Sequence, residues 1–227
     1  MRVYHFLSTE YALADIALRR LKIARLTDVN DPFEFNAINV GGKKEFRKAL
    51  NRTKRELSET KGLLCFSKKW HEPVMWSHYA HRHHGMCLGF DFADKYAKEV
   101  TYSADRIMAE KGDTDDILAN EELMASLLFT KYKHWAYEEE VRAYVDLDPK
   151  TREDGIYYYT FSDDLRLREV ILGPLCALPI ERVRSLVSTF EEKIWVMKTR
   201  LAFKFFRVVE DERFKNDGLP TQTSDDS

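Results

Sequence analysis

The sequence predicts an α+β domain, a split or mixed and mostly antiparallel sheet flanked by helices, and three observations predict it. Short runs rich in β-branched and aromatic residues recur from the first residues to about position 209. Stretches with apolar residues three and four apart lie between some of them. The two kinds do not alternate strictly, as a doubly wound parallel sheet requires. A hydrophobic share of 44% and an aromatic share of 13% over 227 residues exclude a disordered chain and suffice for a real core.

RVYHFLS at 2–8 reads as a strand. TEYALADIALRRL follows with Leu13, Ile16, Ala17 and Leu21 at helical spacing and Ser8 or Thr9 as N-cap. ARLTDVNDPFEF at 24–35 is a loop, because Asp31 before Pro32 is biased out of the α region and Asn30-Asp31 favours a side-chain-bonded turn. The basic stretch 41–61 reads as a surface helix that buries only Phe46, Ala49, Leu50 and Leu57. GLLCFS at 62–67 is a strand, and a helix then starts at Pro73 and runs to Gly85. GMCLGFDF, KEVTYS, EVRAYVDL, GIYYYTF, LREVILG and a continuous closing WVMKTRLAFKFFRVV read as strands, while 114–132 and 179–193 read as helices. Residues 1–213 are expected to form one domain, and 214–227 a polar, disordered tail.

Lys and Arg total 36 against 38 Asp and Glu, so no global field draws the chain to nucleic acid or to a membrane surface. The longest apolar stretch, 170–180, is about half of the roughly 20 residues a spanning helix needs, and two prolines break it. No membrane partner is expected, and with no export leader at MRVYHFLSTEY the expected location is the cytoplasm. Three cysteines without CxxC spacing read as reduced core residues. Phosphate-loop, dinucleotide-fold and hydrolase-elbow motifs are absent.

The segment most suggestive of chemistry is KYKHWAYEEEVRAYVDL at 131–147. Strand parity sends Val141, Ala143 and Val145 one way and Glu138, Glu140, Arg142 and Tyr144 the other, with Trp135 and Tyr137 at the entrance. Such a row suits a polar substrate; the plainer reading is an exposed sheet face with a Glu–Arg pair. His5 shares a face with Val3 and Leu7, either as a core-edge histidine or, with Ser8, as a donor to ribose or phosphate. Asn30, Asp31 and Glu34 read either as an Asx turn or as ligands. Trp76 and Tyr79 are core residues or a stacking face for a cationic ring. His78, His81, His83 and His84 lack a zinc signature and read as a basic helix end, so no metal site is expected.

In order and spacing, YHFLS, LTDVNDPFEF, CFS, MWSHYA-HRHHG-MCLGFDF, WAYEEEVR and EVILGP resemble a bacterial domain family of unknown function over about residues 3–174. The chain resembles the ADP-ribosyltransferase superfamily more weakly. That resemblance implies a split-sheet domain that uses NAD as substrate, with His5 on the first strand, Ser67 or Tyr79 as the middle element, and Glu138 and Glu140 as the E-x-E pair. It gives Glu140 the catalytic place and leaves Glu138 to orient the acceptor, with Arg142 on Glu138 or a pyrophosphate. Tyr79 or Trp76 would then stack on nicotinamide, and His5 and Ser8 would hold the adenosine ribose. A carboxylate beside the ribose would stabilise the oxocarbenium-like state of nicotinamide–ribose cleavage. The acceptor would be an unidentified protein or nucleic acid, in a setting of bacterial defence or toxin biology. The alternatives are a metal-assisted nuclease or hydrolase using Asp31, Glu34, Glu138 and Glu140, and a nucleotide-binding module without turnover.

Overall fold

A computed structural model describes residues 1–31, 33–108, 117–118 and 120–215. Eight strands form the main sheet: β1 (Arg2–Leu7), β2 (Lys61–Ser67), β3 (Met86–Phe92), β4 (Lys98–Glu99), β5 (Glu140–Asp146), β6 (Leu165–Leu172), β7 (Trp195–Leu201) and β8 (Val208–Glu210). Their order is β8-β7-β6-β3-β1-β2-β5-β4, and every pairing is antiparallel except β6 with β7. The α+β class predicted from pattern is therefore the class observed.

Among the described residues five α-helices flank the sheet: α1 (Thr9–Leu18), α2 (Lys44–Thr60), α3 (Pro73–Tyr79), α4 (Glu121–Phe129) and α5 (Ile180–Val187). On one face Val3, Leu88, Phe90, Val141 and Ala143 pack with Ala12 and Ile16 of α1 and Val183 of α5. On the other, α3 brings Met75 and Trp76 against Phe6, Cys87 and Ile171. Beside them α2 and α4 cover Leu63, Cys65 and Tyr144 with Phe46, Leu50 and Leu127. Parity along β5 thus holds, but the face bearing Glu140 and Arg142 lies under a helical layer rather than in solvent.

Ser8 is the N-cap of α1, its hydroxyl accepting from the Tyr11 amide as the sequence suggests. Several boundaries differ from expectation. The helix expected to reach Gly85 stops at Tyr79, because His81, Arg82 and His83 all take positive φ. Gly85 serves close packing instead, since a Cβ there would run into the Leu7 carbonyl oxygen. The helix expected over 114–132 is observed from Glu121 to Phe129, and Thr130–Tyr132 is extended; positions 114–116 and 119 lie outside the described residues. The helix expected over 179–193 spans Ile180–Val187. The closing strand is broken into β7 and β8 by a reversal at 202–207. Of the expected tail, Phe214 closes a 3-10 turn, Glu212–Phe214, and 216–227 lie outside the described residues.

Candidate functional site

A buried cluster of charge gathers where β5 begins. The Asx turn at Asp31 forms as predicted, with Oδ1 accepting from the Phe33 amide at 2.9 Å, and it turns Glu34 inward. Glu34 meets Arg142 through two bonds, 2.6 and 2.9 Å. The same guanidinium holds Glu140 through Nε at 2.7 Å and through Nη2 at 2.9 Å, and it donates to the Leu128 carbonyl at 2.7 Å. Lys131 fills the space between the carboxylates, 2.5 Å from Glu138, 3.2 Å from Glu140 and 3.4 Å from Glu34. All five side chains are buried.

Glu138 links the cluster to an exposed side chain. Its Oε1 accepts from the Tyr79 hydroxyl at 2.5 Å, and that hydroxyl accepts from exposed Asn30 at 2.7 Å. Tyr137, Trp135 and His78 stand beside it with ring centroids 6.1–6.3 Å apart, and Lys131 lies 4.8 Å below the Trp135 ring.

Three carboxyl groups face two cations, so full ionisation leaves one negative charge in excess. Burial would raise the Glu140 carboxyl, but the Arg142 guanidinium and then Lys131 override it and hold it at about 2. Burial raises Glu138 above the usual carboxylate range, with Glu140 adding to the shift and Lys131 opposing it. Burial and the neighbouring Glu138 carboxylate raise the Tyr79 hydroxyl. Burial works against the Lys131 ammonium, yet Glu140, Glu138 and Glu34 together push it up and keep it charged.

Several assigned roles are corrected by these positions. Glu138 is not on the strand: it ends the 3-10 turn Lys133–Glu138, and Glu139 at φ 40° displaces it from the β5 parity. Arg142 pairs with Glu34 and Glu140, not with Glu138, and its burial leaves it no face for a pyrophosphate. Trp76 is fully buried, its indole N–H donating to the Trp70 carbonyl at 2.5 Å and its ring edge-on to Phe6, so it offers no stacking surface. His5 lies on the opposite face of the sheet, among Val3, Leu88 and Phe66, with Nδ1 2.8 Å from the Cys65 carbonyl. Burial holds its imidazole below the usual value, and the sheet separates it from the face that bears Glu140. Ser8 caps α1, and the Ser67 hydroxyl is engaged by the Lys69 backbone although Ser67 pairs in register with Glu140. Asn30, Asp31, Glu34, Tyr79, Glu138, Glu140 and Arg142 are brought together.

Lys131 was not foreseen, and neither was Tyr102, whose hydroxyl accepts from the Glu140 amide at 2.8 Å. Alternation across Thr130–Tyr132 was the available signal for Lys131, since it is buried while Tyr132 is exposed. The histidines of 78–84 do not converge: no group of three or more metal-ligating side chains is arranged to hold an ion among the described residues. Where Glu34, Glu138 and Glu140 approach one another, the Lys131 ammonium already supplies the cation.

Residues 75–143 match the model of a family described as Protein of unknown function (DUF2971). The DUF2971 match runs from α3 into β5 and takes in Tyr79, Lys131, Glu138, Glu140 and Arg142, whereas Asn30, Asp31 and Glu34 fall before it. No curated protein and no solved structure matches the chain.

Proposed function

We propose that the protein cleaves the nicotinamide–ribose bond of NAD, passing ADP-ribose to a macromolecular acceptor or to water. The resemblance to ADP-ribosyltransferases supplies the substrate. The observation that carries the reading is the gathering of three carboxyl groups around two cations, with Glu138 bonded on one side to Lys131 and on the other to the Tyr79 hydroxyl. An anionic carboxyl held away from water favours an oxocarbenium-like state, in which positive charge grows on the ribose. In this reading Glu138 is the acid that meets the ribose, and Tyr79 and Asn30 orient it. Glu140, locked by Arg142 and Lys131, is a positioning residue rather than the catalytic one. Stacking on the nicotinamide falls to Trp135 and Tyr137 in place of Trp76.

Incubation with NAD and chromatography of released nicotinamide tests the proposal. Wild type releases nicotinamide, and Glu138→Gln reduces the rate by about a hundredfold or more while keeping its circular dichroism. Absence of release by a folded wild type, with or without lysate as acceptor, overturns it. A binding module without turnover is the second reading, favoured because every charged side chain of the cluster has an internal partner. Bound but intact NAD selects it.

A further inference from the structure

The reversal between β7 and β8 carries three largely exposed phenylalanines. Phe203, Phe205 and Phe206 are 91%, 69% and 99% exposed, and Leu201 below them is half exposed. The base of this hairpin is fixed. Val208 is fully buried, its amide donates to the His71 carbonyl at 2.9 Å, and its carbonyl meets His71 Nδ1 at 2.9 Å. Ala202 donates to Arg207 and Arg207 to Phe205, each at 2.9 Å, so the tip itself is a closed turn. A fixed base that holds three bare aromatic rings in water is an interaction surface, not a scattered apolar exposure.

Charge narrows the occupant. From Lys193 to Val209 the chain holds Lys and Arg but no Asp or Glu. Lys204 and Arg207 are exposed beside the rings, and Arg200 lies 4.7 Å over Phe203. A second copy meeting this tip across a two-fold axis would face its own positive charge, which disfavours a symmetric dimer. Single-stranded nucleic acid stacks on rings backed by a protein surface, whereas Phe206 is exposed on all sides. A protruding apolar tip with a basic collar fits the boundary between acyl chains and anionic headgroups.

We infer that the hairpin 201–208 docks the protein on anionic lipid membranes, Phe203, Phe205 and Phe206 entering the acyl boundary and Arg200, Lys204 and Arg207 meeting the headgroups. No helix among the described residues is long and apolar enough to cross a membrane, and a contact of this kind requires none. The inference is independent of the reading of the charge cluster.

Co-sedimentation of the full chain with phosphatidylcholine vesicles, with and without phosphatidylserine, tests it. Wild type binds the phosphatidylserine vesicles and dissociates as salt is raised. Phe203→Ser/Phe206→Ser and Lys204→Glu/Arg207→Glu each weaken binding by about tenfold or more, with unchanged thermal unfolding because the altered side chains are exposed. Failure of wild type to bind phosphatidylserine vesicles overturns the inference, as does binding that both variants retain. Without vesicle binding, a phenylalanine-dependent dimer in sedimentation velocity assigns the tip to a second copy. Phenylalanine-dependent binding of a single-stranded oligonucleotide, again without vesicle binding, assigns it to nucleic acid.

Discussion

Glu34 and Arg142, 108 positions apart in the chain, are joined by two hydrogen bonds of 2.6 and 2.9 Å inside the protein. This pair ties the loop that follows Leu26 to β5, the second strand from the edge of the sheet, and Lys54 of α2 adds a bond to the Glu34 carbonyl at 2.9 Å. Removing either partner strands a buried charge, the costly way to break such a pair. Arg142→Met is therefore expected to lose about 3–5 kcal/mol in urea unfolding. A loss below 1 kcal/mol, the range of an exposed pair, would contradict the burial of this network.

The two acids of the E-x-E pair respond to pH with opposite sign. Glu140 has its folded value lowered from 4.5 to about 2, so its contribution to stability is complete above the unfolded value and is lost as pH falls toward the folded one. Glu138 is raised, so its contribution is present below the ordinary value and is lost as pH rises through the folded one. Unfolding midpoints measured from about pH 3 to pH 7 should flatten on the acid side in Glu140→Gln. Glu138→Gln should leave that acid limb steep. Identical profiles for the two variants would show that their environments do not differ as described.

Tyr79→Phe deletes the hydroxyl shared by Asn30 and Glu138 and leaves the rest of the ring in place. The expected cost is about 1–3 kcal/mol, because a buried carboxyl loses one of its two donors. In the NAD assay its effect should fall on turnover more than on binding, since the hydroxyl touches the acid rather than a stacking surface. Asn30→Ala, at the exposed end of the same chain of bonds, should have the smaller effect on both.

The sequence carried the class of the fold because periodicity reports burial locally, and the same locality set its limits. The Asx turn at Asp31 and the cap at Ser8 were legible, since each depends on neighbours two or three residues away. Glu138 was misplaced because the left-handed turn at Glu139 uses no glycine or asparagine to announce it. The 202–207 reversal was hidden in the same way, its residues being as β-prone as the strands around it. His5 and Glu140 could not be assigned to opposite faces from sequence, because their relation passes through the register of β2, and pairing register is a tertiary property. Lys131 escaped because extending α4 by three residues erased the alternation that buries it.

Trp76 and Trp135 separate packing from recognition. Trp76 is enclosed by Phe6 and bonded to the Trp70 carbonyl, so Trp76→Ala should cost about 3–5 kcal/mol of stability. Trp135 is half-buried at the mouth of the charge cluster, beside Tyr137 and His78. Trp135→Ala should leave stability closer to wild type and weaken NAD binding by about tenfold, the size of a lost cation–π contact. Trp76→Phe, which keeps most of the packing, should bind NAD as wild type does in calorimetric titration. The reverse pattern, affinity lost at Trp76 and kept at Trp135, would place the nicotinamide away from the Tyr79–Glu138 pair and remove the stacking role proposed for that mouth.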